Sequence, residues 1–465
     1  MLLDPIFERF VADSPLSVMT RGTIEHALSA DALNVFFEYT ADKQYTRELL
    51  FSTVVDLMSL VVCGTQPHVQ AAFQAQIERI PVTLKSVYEK LQHIETHTSA
   101  ELVRFVAGRC EPLIPALNGA RQEWLAGYRV KIIDGNHLAG TQRRLKETRG
   151  QSAAPLPGLS LVVLDPQLML AVDMLPCEDG HAQERTLLGA LLERLEKHDL
   201  AIADRNFCTT DFLTGLAGRT ASFVIRRHAK LPLEAQGAWG EEGETETGWV
   251  SERPVVLTRD GAMLLRLRCI RVRLKKPTRE GETEIEVLTN VPAEVADPVR
   301  VATLDLRRGT VEGMFQELTE NLGCEVNTRC YPKAALFAFG IALVAYNVLA
   351  VTRAALRAVH GEEKVEKEVS GYYLALEIAG VYLGMMIAIP AEHWVGFQSL
   401  SVAERAGVLR ELAAKMKLMR YKKHPRPPKK ASPQRVSDKR QPHVSTAKLL
   451  NERKKQRPVE SHSTP

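Results

Sequence analysis

An α/β fold flanked by helical units is predicted by three features of the sequence. Residues 1–125 read as all-helical, with apolar side chains recurring at helical spacing. Between residues 129 and 226, short β-branched runs alternate with helical periodicity. Beyond residue 301 the pattern turns helical again and then gives way to a basic tail.

At 465 residues the chain exceeds what one core ordinarily serves, and roughly two to four structural units are expected. Hydrophobic residues at 45% and charged residues at 25% give the balance of a soluble globular protein. The seven cysteines form no CxxC pair. That suits a reducing cytosol, with cysteines as small core residues, better than a disulfide framework or a zinc site. The opening MLLDPIFERFVADSP carries acids where a secretory signal carries bases, so export is not expected.

Residues 334–351 run for eighteen positions without a charge, close to the length a bilayer requires. The run includes Tyr346 and Asn347, and a buried helix in a large core explains it as well. Net charge is +4, but its distribution is uneven. Residues 415–457 hold sixteen Lys or Arg against Asp438 and Glu452, leaving residues 1–414 at about −9. Such a tail cannot bury a core and is expected to be disordered. Its partner would be a polyanion, since each cation near a phosphate releases a counterion. A purely solubilising tail is the alternative.

The elements follow in order. In RELLFSTVVDLMSLVV, Leu50, Val54, Met58 and Val61 make a helical stripe, and Val69, Phe73, Ile77 and Ile80 make a second. RVKIID (129–134), LSLVVLD (159–165) and LMLAVDML (168–175) read as strands, the last two joined at Pro166-Gln167. Residues 183–197 read as a helix, LAIAD (200–204) as a fourth strand, 211–217 as a helical turn and ASFVIR (221–226) as a fifth strand. Three strands, helix, strand, helix, strand is the order of the ribonuclease H-like α/β fold, in which the fourth strand lies beside the first. Residues 230–300 then read as a β insertion. In LLRLRCIRVRLKK, apolar and basic residues alternate with a phase slip at Cys269-Ile270, as in a bulged strand carrying Arg266, Arg268, Arg271 and Arg273 on its face. That face is either an ordinary solvent-exposed one or one turned to nucleic acid. Residues 307–323 read as a helix with Val311, Phe315, Leu318 and Leu322 on one stripe, closed by Gly323. The units are therefore 1–125, 126–229, 230–300, 301–418 and the tail 419–465.

Two strands end in an aspartate, Asp134 and Asp204. Strand ends at a sheet edge are where α/β proteins place ligands. If the strands are adjacent, both carboxylates face one point, which is unfavourable unless a proton or cation sits between them. Oxygen donors with no histidine or cysteine among them select a hard cation, magnesium or manganese. Two such ions about 4 Å apart serve in-line displacement at phosphorus, and a third carboxylate is then wanted. The structural alternative is a turn, for which Asp134-Gly135 is well suited.

Three blocks bear on that choice: IIDGNHLAGTQRRLKETR, LAIADRNFCTTDFL, and LRRGTVEGMFQELTENLGCEVNTRCYPKAALFAFGIALVAYNVLA. In this order they resemble bacterial insertion-sequence transposases with a DDE triad and a tyrosine–arginine–glutamate–lysine signature around the last acid. QYTRELLFSTVVDLM is similar to the same group, and the resemblance covers roughly residues 15–400. It implies a ribonuclease H-like catalytic core with a β insertion, a helical N-terminal DNA-binding unit and a helical C-terminal region. It also implies a catalytic and metal-binding triad of Asp134, Asp204 and Glu312, spaced by 70 and 108 residues, with two magnesium or manganese ions. The activity implied is metal-dependent cleavage at element ends and transfer of the 3′-hydroxyl into target DNA. The implied partners are terminal inverted repeats and target DNA, in a homodimeric synaptic complex within the bacterial cytoplasm.

Arg308 fits the signature and would hold a phosphate. Asp305 stands where the tyrosine is expected, Thr319 where the lysine is, and Gly309 where a tryptophan often precedes the glutamate. An aspartate at a phosphate-facing position weakens DNA binding. An impaired, transposase-derived DNA-binding protein is therefore one alternative, and a metal-dependent nuclease without strand transfer is another. Lys422 and Lys423, with Arg205 and the four insertion arginines, are further DNA-binding candidates. Arg205 would touch a phosphate or balance the acidic cluster. His137 would assist proton or water movement or serve as a hydrogen-bonded loop residue. Trp239 and Trp249 would be buried in the β unit or stack on an extruded base. The sequence holds no GxSxG, P-loop or GxGxxG motif.

Overall fold

In a computed structural model, which describes residues 5–44, 46–138, 147, 156–241, 243–278, 281–324, 326, 331–424 and 445–456, one ten-stranded sheet separates two apolar cores. Helices α1 (Glu8–Asp13), α2 (Pro15–Ala27), α3 (Ala30–Thr40), α4 (Phe51–Val62), α5 (Val69–Ala75), α6 (Leu84–His93), α7 (Thr96–Cys110) and α8 (Leu113–Ala116) precede it. The stripe expected through Ile80 stops early. α5 ends at Ala75, and Ile77 lies in a 3-10 turn with half its surface exposed. Pro81 is the cause, because the residue before a proline is pushed to extended backbone, as Ile80 is.

The sheet comprises β1 (Arg129–His137), β2 (Leu159–Asp165), β3 (Leu170–Cys177), then after α9 (Leu188–Leu192) β4 (Asp199–Ala203), and after α10 (Thr210–Gly218) β5 (Ser222–Arg226). Strands β6 (Leu233–Ala235), β7 (Gly243–Glu244), β8 (Gly248–Arg259), β9 (Ala262–Leu274) and β10 (Glu284–Thr289) complete it. Its order is β3-β2-β1-β4-β5-β10-β9-β8-β6, with β7 on β8. The fourth strand lies beside the first, in parallel, and β4 is parallel to β5. β10 pairs with β5, so the residues read as an insertion extend the same sheet. The helix expected over 183–197 is shorter. A 3-10 turn at Glu184–Leu187 leads into α9, and tight backbone bonds from Arg194 and Leu195 to residues three back replace further α-turns.

Period-two alternation assigns each face. Ile133, Leu161, Val163, Ala201, Phe223 and Leu288 face α9 and α10. Val130, Ile132, Leu200, Ile202 and Val287 face the larger helical body. Along β9 the ladder with β8 is continuous through Cys269 and Ile270, and the irregularity lies at Leu257/Thr258. The expected bulge is absent there. Adjacent residues are both apolar because Leu267 and Cys269 enter one core while Ile270 and Val272 enter the other. The four arginines are consequently not on one face: Arg266 and Arg268 share one parity, Arg271 and Arg273 the other.

Past the sheet come α11 (Pro298–Leu306), α12 (Thr310–Glu320), α13 (Pro332–His360), α14 (Glu362–Glu368), α15 (Gly371–Ala388), α16 (Val402–Lys415) and α17 (Thr446–Gln456). Arg307–Gly309 forms a 3-10 turn between α11 and α12, where one helix was expected from residue 307. By length and composition α13 and α15 would both span a bilayer, yet 94% of the most apolar window of α13 is buried within the protein. Its Asn347 explains a polar residue in that position. Its side-chain oxygen accepts from Ala171 N at 2.8 Å and its amide donates to Ala171 O at 2.9 Å. Ala171 lies at the register shift of edge strand β3, so these backbone groups need partners from outside the ladder.

The tail departs from the expected disorder at 419–424 and 445–456. Lys422 bridges Val369 through its backbone, and Ser445 bridges Leu156. Ser445 and Thr446 are buried, Lys448 lies 3.5 Å from Asp179, and Arg453 pairs with Glu147. Acidic partners on the body fix this helix, which composition alone does not indicate. Residues 425–444 and 457–465 of the expected tail lie outside the described residues.

Replacing Asn347 with Leu leaves two buried backbone groups unpaired and is expected to cost about 2–4 kcal/mol. Denaturant unfolding of Asn347→Leu against wild type measures it.

Candidate active site on the sheet

The register of β1 against β4 decides where the two aspartates meet. Val130 pairs with Leu200 and Ile132 with Ile202, so Asp134 comes level with Asp204 immediately past β4. Both have the parity of residues that face the helical body. Asp134 is not in a turn. β1 continues to His137 along β2, and Asp134 itself pairs with Val162. Asp134 Oδ1 accepts from Gly135 N at 3.0 Å, and Asp204 Oδ1 from Asn206 N at 2.8 Å.

Burial pushes the Asp134 carboxyl up to about 7; Arg308 and the Gly135 N–H oppose this, while Asp204 and Glu184 add to it. Glu184 is raised as well, by burial and then by Asp204. Neither Glu184 nor Arg226 was marked by the sequence: Glu184 lies in a stretch legible only as helix, and Arg226 closes a strand. Arg226 Nε lies 3.1 and 3.0 Å from the two oxygens of Asp305, which is 4% exposed. Burial pulls the Arg226 pKa down, and Asp305, with Glu282 and Asp204, more than restores it. The aspartate in the expected tyrosine position thus neutralises an arginine beside the site.

Arg308, 14% exposed, stands between Asp134 and the third predicted acid. Its Nη2 lies 3.4 Å from Glu312 Oε1. Glu312 is 63% exposed in the first turn of α12, which packs on β1 and buries Val311, Met314 and Leu318. Among the described residues, no three His, Cys, Asp or Glu side chains gather as a metal shell would. Thr319, in the lysine position, bonds back to Phe315 O at 3.0 Å, and a side chain at Gly309 would meet open space. His137 Nδ1 lies 3.2 Å from Gly180 O.

The basic candidates are dispersed. Arg205 pairs with Glu282 at 2.6 Å, on the charge-balancing side of its two expectations. Arg268 makes a two-pronged pair with Glu252 and also donates to Val291 O and Ala296 O, so it holds the sheet together. Arg266 is exposed. Arg271 and Arg253 flank the Trp239 ring at 4.1 and 4.2 Å, and Arg273 and Lys275 approach Trp249, which is 42% exposed rather than buried. Lys423 donates to Glu366 O and Glu368 O, and the exposed Lys422 follows the 3-10 turn at Leu418–Tyr421.

With this geometry in place, residues 126–348 match the family model of the transposase DDE domain. The match supports a DDE transposase family. It includes Asp134, Asp204 and Glu312 within its bounds. No curated protein matches the chain. Solved structures that match include a piggyBac transposase synaptic complex with hairpin DNA, at 10% identity and a TM-score of 0.39, covering 82% of this chain and 84% of that one. A likeness that distant says nothing about this site.

A carboxyl that titrates near 7 in the fold, against an ordinary 3.8, costs nothing below pH 3.8. The cost grows as pH rises and is complete above about 7. When fully buried such a displacement is worth about 4 kcal/mol, and partial exposure reduces it to about 2 kcal/mol. With chelator present, Asp134→Asn is therefore expected to raise stability by that amount at pH 8 and leave it unchanged at pH 4, as read by thermal unfolding.

Proposed function

We propose that this chain is a DNA transposase that cuts at the ends of its element and transfers the freed 3′-hydroxyl into target DNA. The observation that carries the reading is the parallel register that brings Asp134 level with Asp204 inside a segment matching the transposase DDE domain. Domains of this family are in general divalent-metal dependent. The donor chemistry here suits that, since carboxylate oxygens select magnesium or manganese. When bound, such ions activate the attacking oxygen and stabilise the leaving one at phosphorus.

In this reading the core is ribonuclease H-like, and Asp134, Asp204 and Glu312 would be the residues that hold the two ions. Arg308 lies beside Asp134 and Glu312, where its guanidinium can grip a phosphate through paired N–H donors. Terminal inverted repeats and target DNA are the partners, engaged by a homodimer. The N-terminal helices, the exposed cations of the extended sheet and the basic tail add contacts to the DNA backbone. Asp305 was the residue that most favoured an impaired relic. Its burial against Arg226 gives it a task away from phosphate, which supports the active reading over that alternative.

DNA carrying the gene's own flanks, incubated with magnesium or manganese, tests this directly. Wild type is expected to make discrete cuts at the element ends. Asp204→Asn is expected to lose them by about a thousandfold or more while still binding DNA. Binding without cutting by both proteins would overturn the reading.

A further inference from the structure

The row of charged side chains on the sheet continues one strand beyond Asp204, to Arg226. Ala203 pairs with Ile225 in the parallel ladder of β4 and β5, so Arg226 stands level with Asp204 as Asp134 does on the other side. Neighbouring strands lie about 4.8 Å apart, which sets Asp134, Asp204 and Arg226 side by side. They also share a face. Arg226 has the parity of Val224, which enters the core of the helical body. Its partner Asp305 lies on α11, whose Val301, Ala302 and Leu304 enter that same core.

The chain from α11 into α12 spans this row, with α11 packed on β5 and β4 and α12 on β1. Asp305 reaches Arg226 at the Asp204 side, and three residues on, Arg308 stands beside Asp134. An arginine therefore flanks each side of the carboxylate pair. Asp305 takes only one edge of the Arg226 guanidinium, through Nε and Nη2. Among the described residues Nη1 has no partner, and it is not one of the side-chain atoms shut off from solvent. A planar guanidinium with five donors can serve two anions at separate edges. Tying α11 to the sheet uses the closed edge, and the open edge keeps donors for an anion. The buried Asp305 fixes the group in place, so little side-chain freedom is left to lose on binding.

We propose that Arg226 is a phosphate-binding residue of this site, donating through Nη1 to a non-bridging oxygen of the DNA phosphate at Asp204, while Arg308 serves the Asp134 side. This rests on the reading of the chain as a transposase. Arg226→Gln and the double variant Arg226→Gln with Asp305→Asn separate the role from a structural one. The single variant leaves a buried carboxylate unpaired, so it is expected to lose thermal stability as well as cutting. The double variant removes that charge too and is expected to regain most of the lost Tm. Cutting of DNA carrying the gene's own flanks is read with magnesium, at a temperature where circular dichroism shows every protein folded. Both variants are expected to cut about a hundredfold more slowly than wild type. If the double variant cuts like wild type, the pair merely ties α11 to the sheet, and this inference falls while the transposase reading stands. If wild type binds the DNA without cutting it, both fall.

Discussion

The parallel pairing of β1 with β4 is the constraint on which the rest depends. Two chain segments 70 residues apart are locked in register by backbone hydrogen bonds, and that register makes Asp134 and Asp204 neighbours. A slip of one residue would turn one carboxylate to the opposite face, against α9 and α10. The apolar alternation of both strands forbids such a slip, because the slipping strand would take Val130 and Ile132, or Leu200 and Ile202, out of their core. The chemistry of the sheet end is thus secured by hydrophobic packing several residues away.

The helical body serves the same end. α13 lies buried against the sheet and clamps the edge strand β3 through Asn347, which steadies β2 and through it β1. α12 rests on β1 and carries Glu312, while the 3-10 turn before it delivers Arg308 beside Asp134. Arg308 and the Asp305–Arg226 pair surround the carboxylates with positive charge that is itself balanced. Such an arrangement tolerates a partly buried acid that titrates near neutrality.

Much of this was legible in the sequence, for definite reasons. The strand order followed from short β-branched runs, and Asp134 and Asp204 followed from the acids that close two of them. What was misread has physical causes too. The phase slip in β9 looked like a bulge because a strand buried on opposite faces at its two ends leaves the same pattern. Four arginines in that strand looked like one surface, although two cores divide them. Glu184 and the Arg226–Asp305 pair were invisible because their meaning lies in tertiary contact: an acid at a helix start and an arginine at a strand end are commonplace locally. The docking of α17 was hidden for the same reason, since Asp179 and Glu147 lie far from it in sequence.

Iron-promoted backbone scission tests the central claim most directly. Ferrous ion substituted for magnesium, with ascorbate and peroxide, cuts the polypeptide beside the place where the ion is held. The account predicts scission confined to β1 around Asp134 and to the end of β4 at Asp204, suppressed by excess magnesium. Scission elsewhere, or none beside these two aspartates, would contradict it.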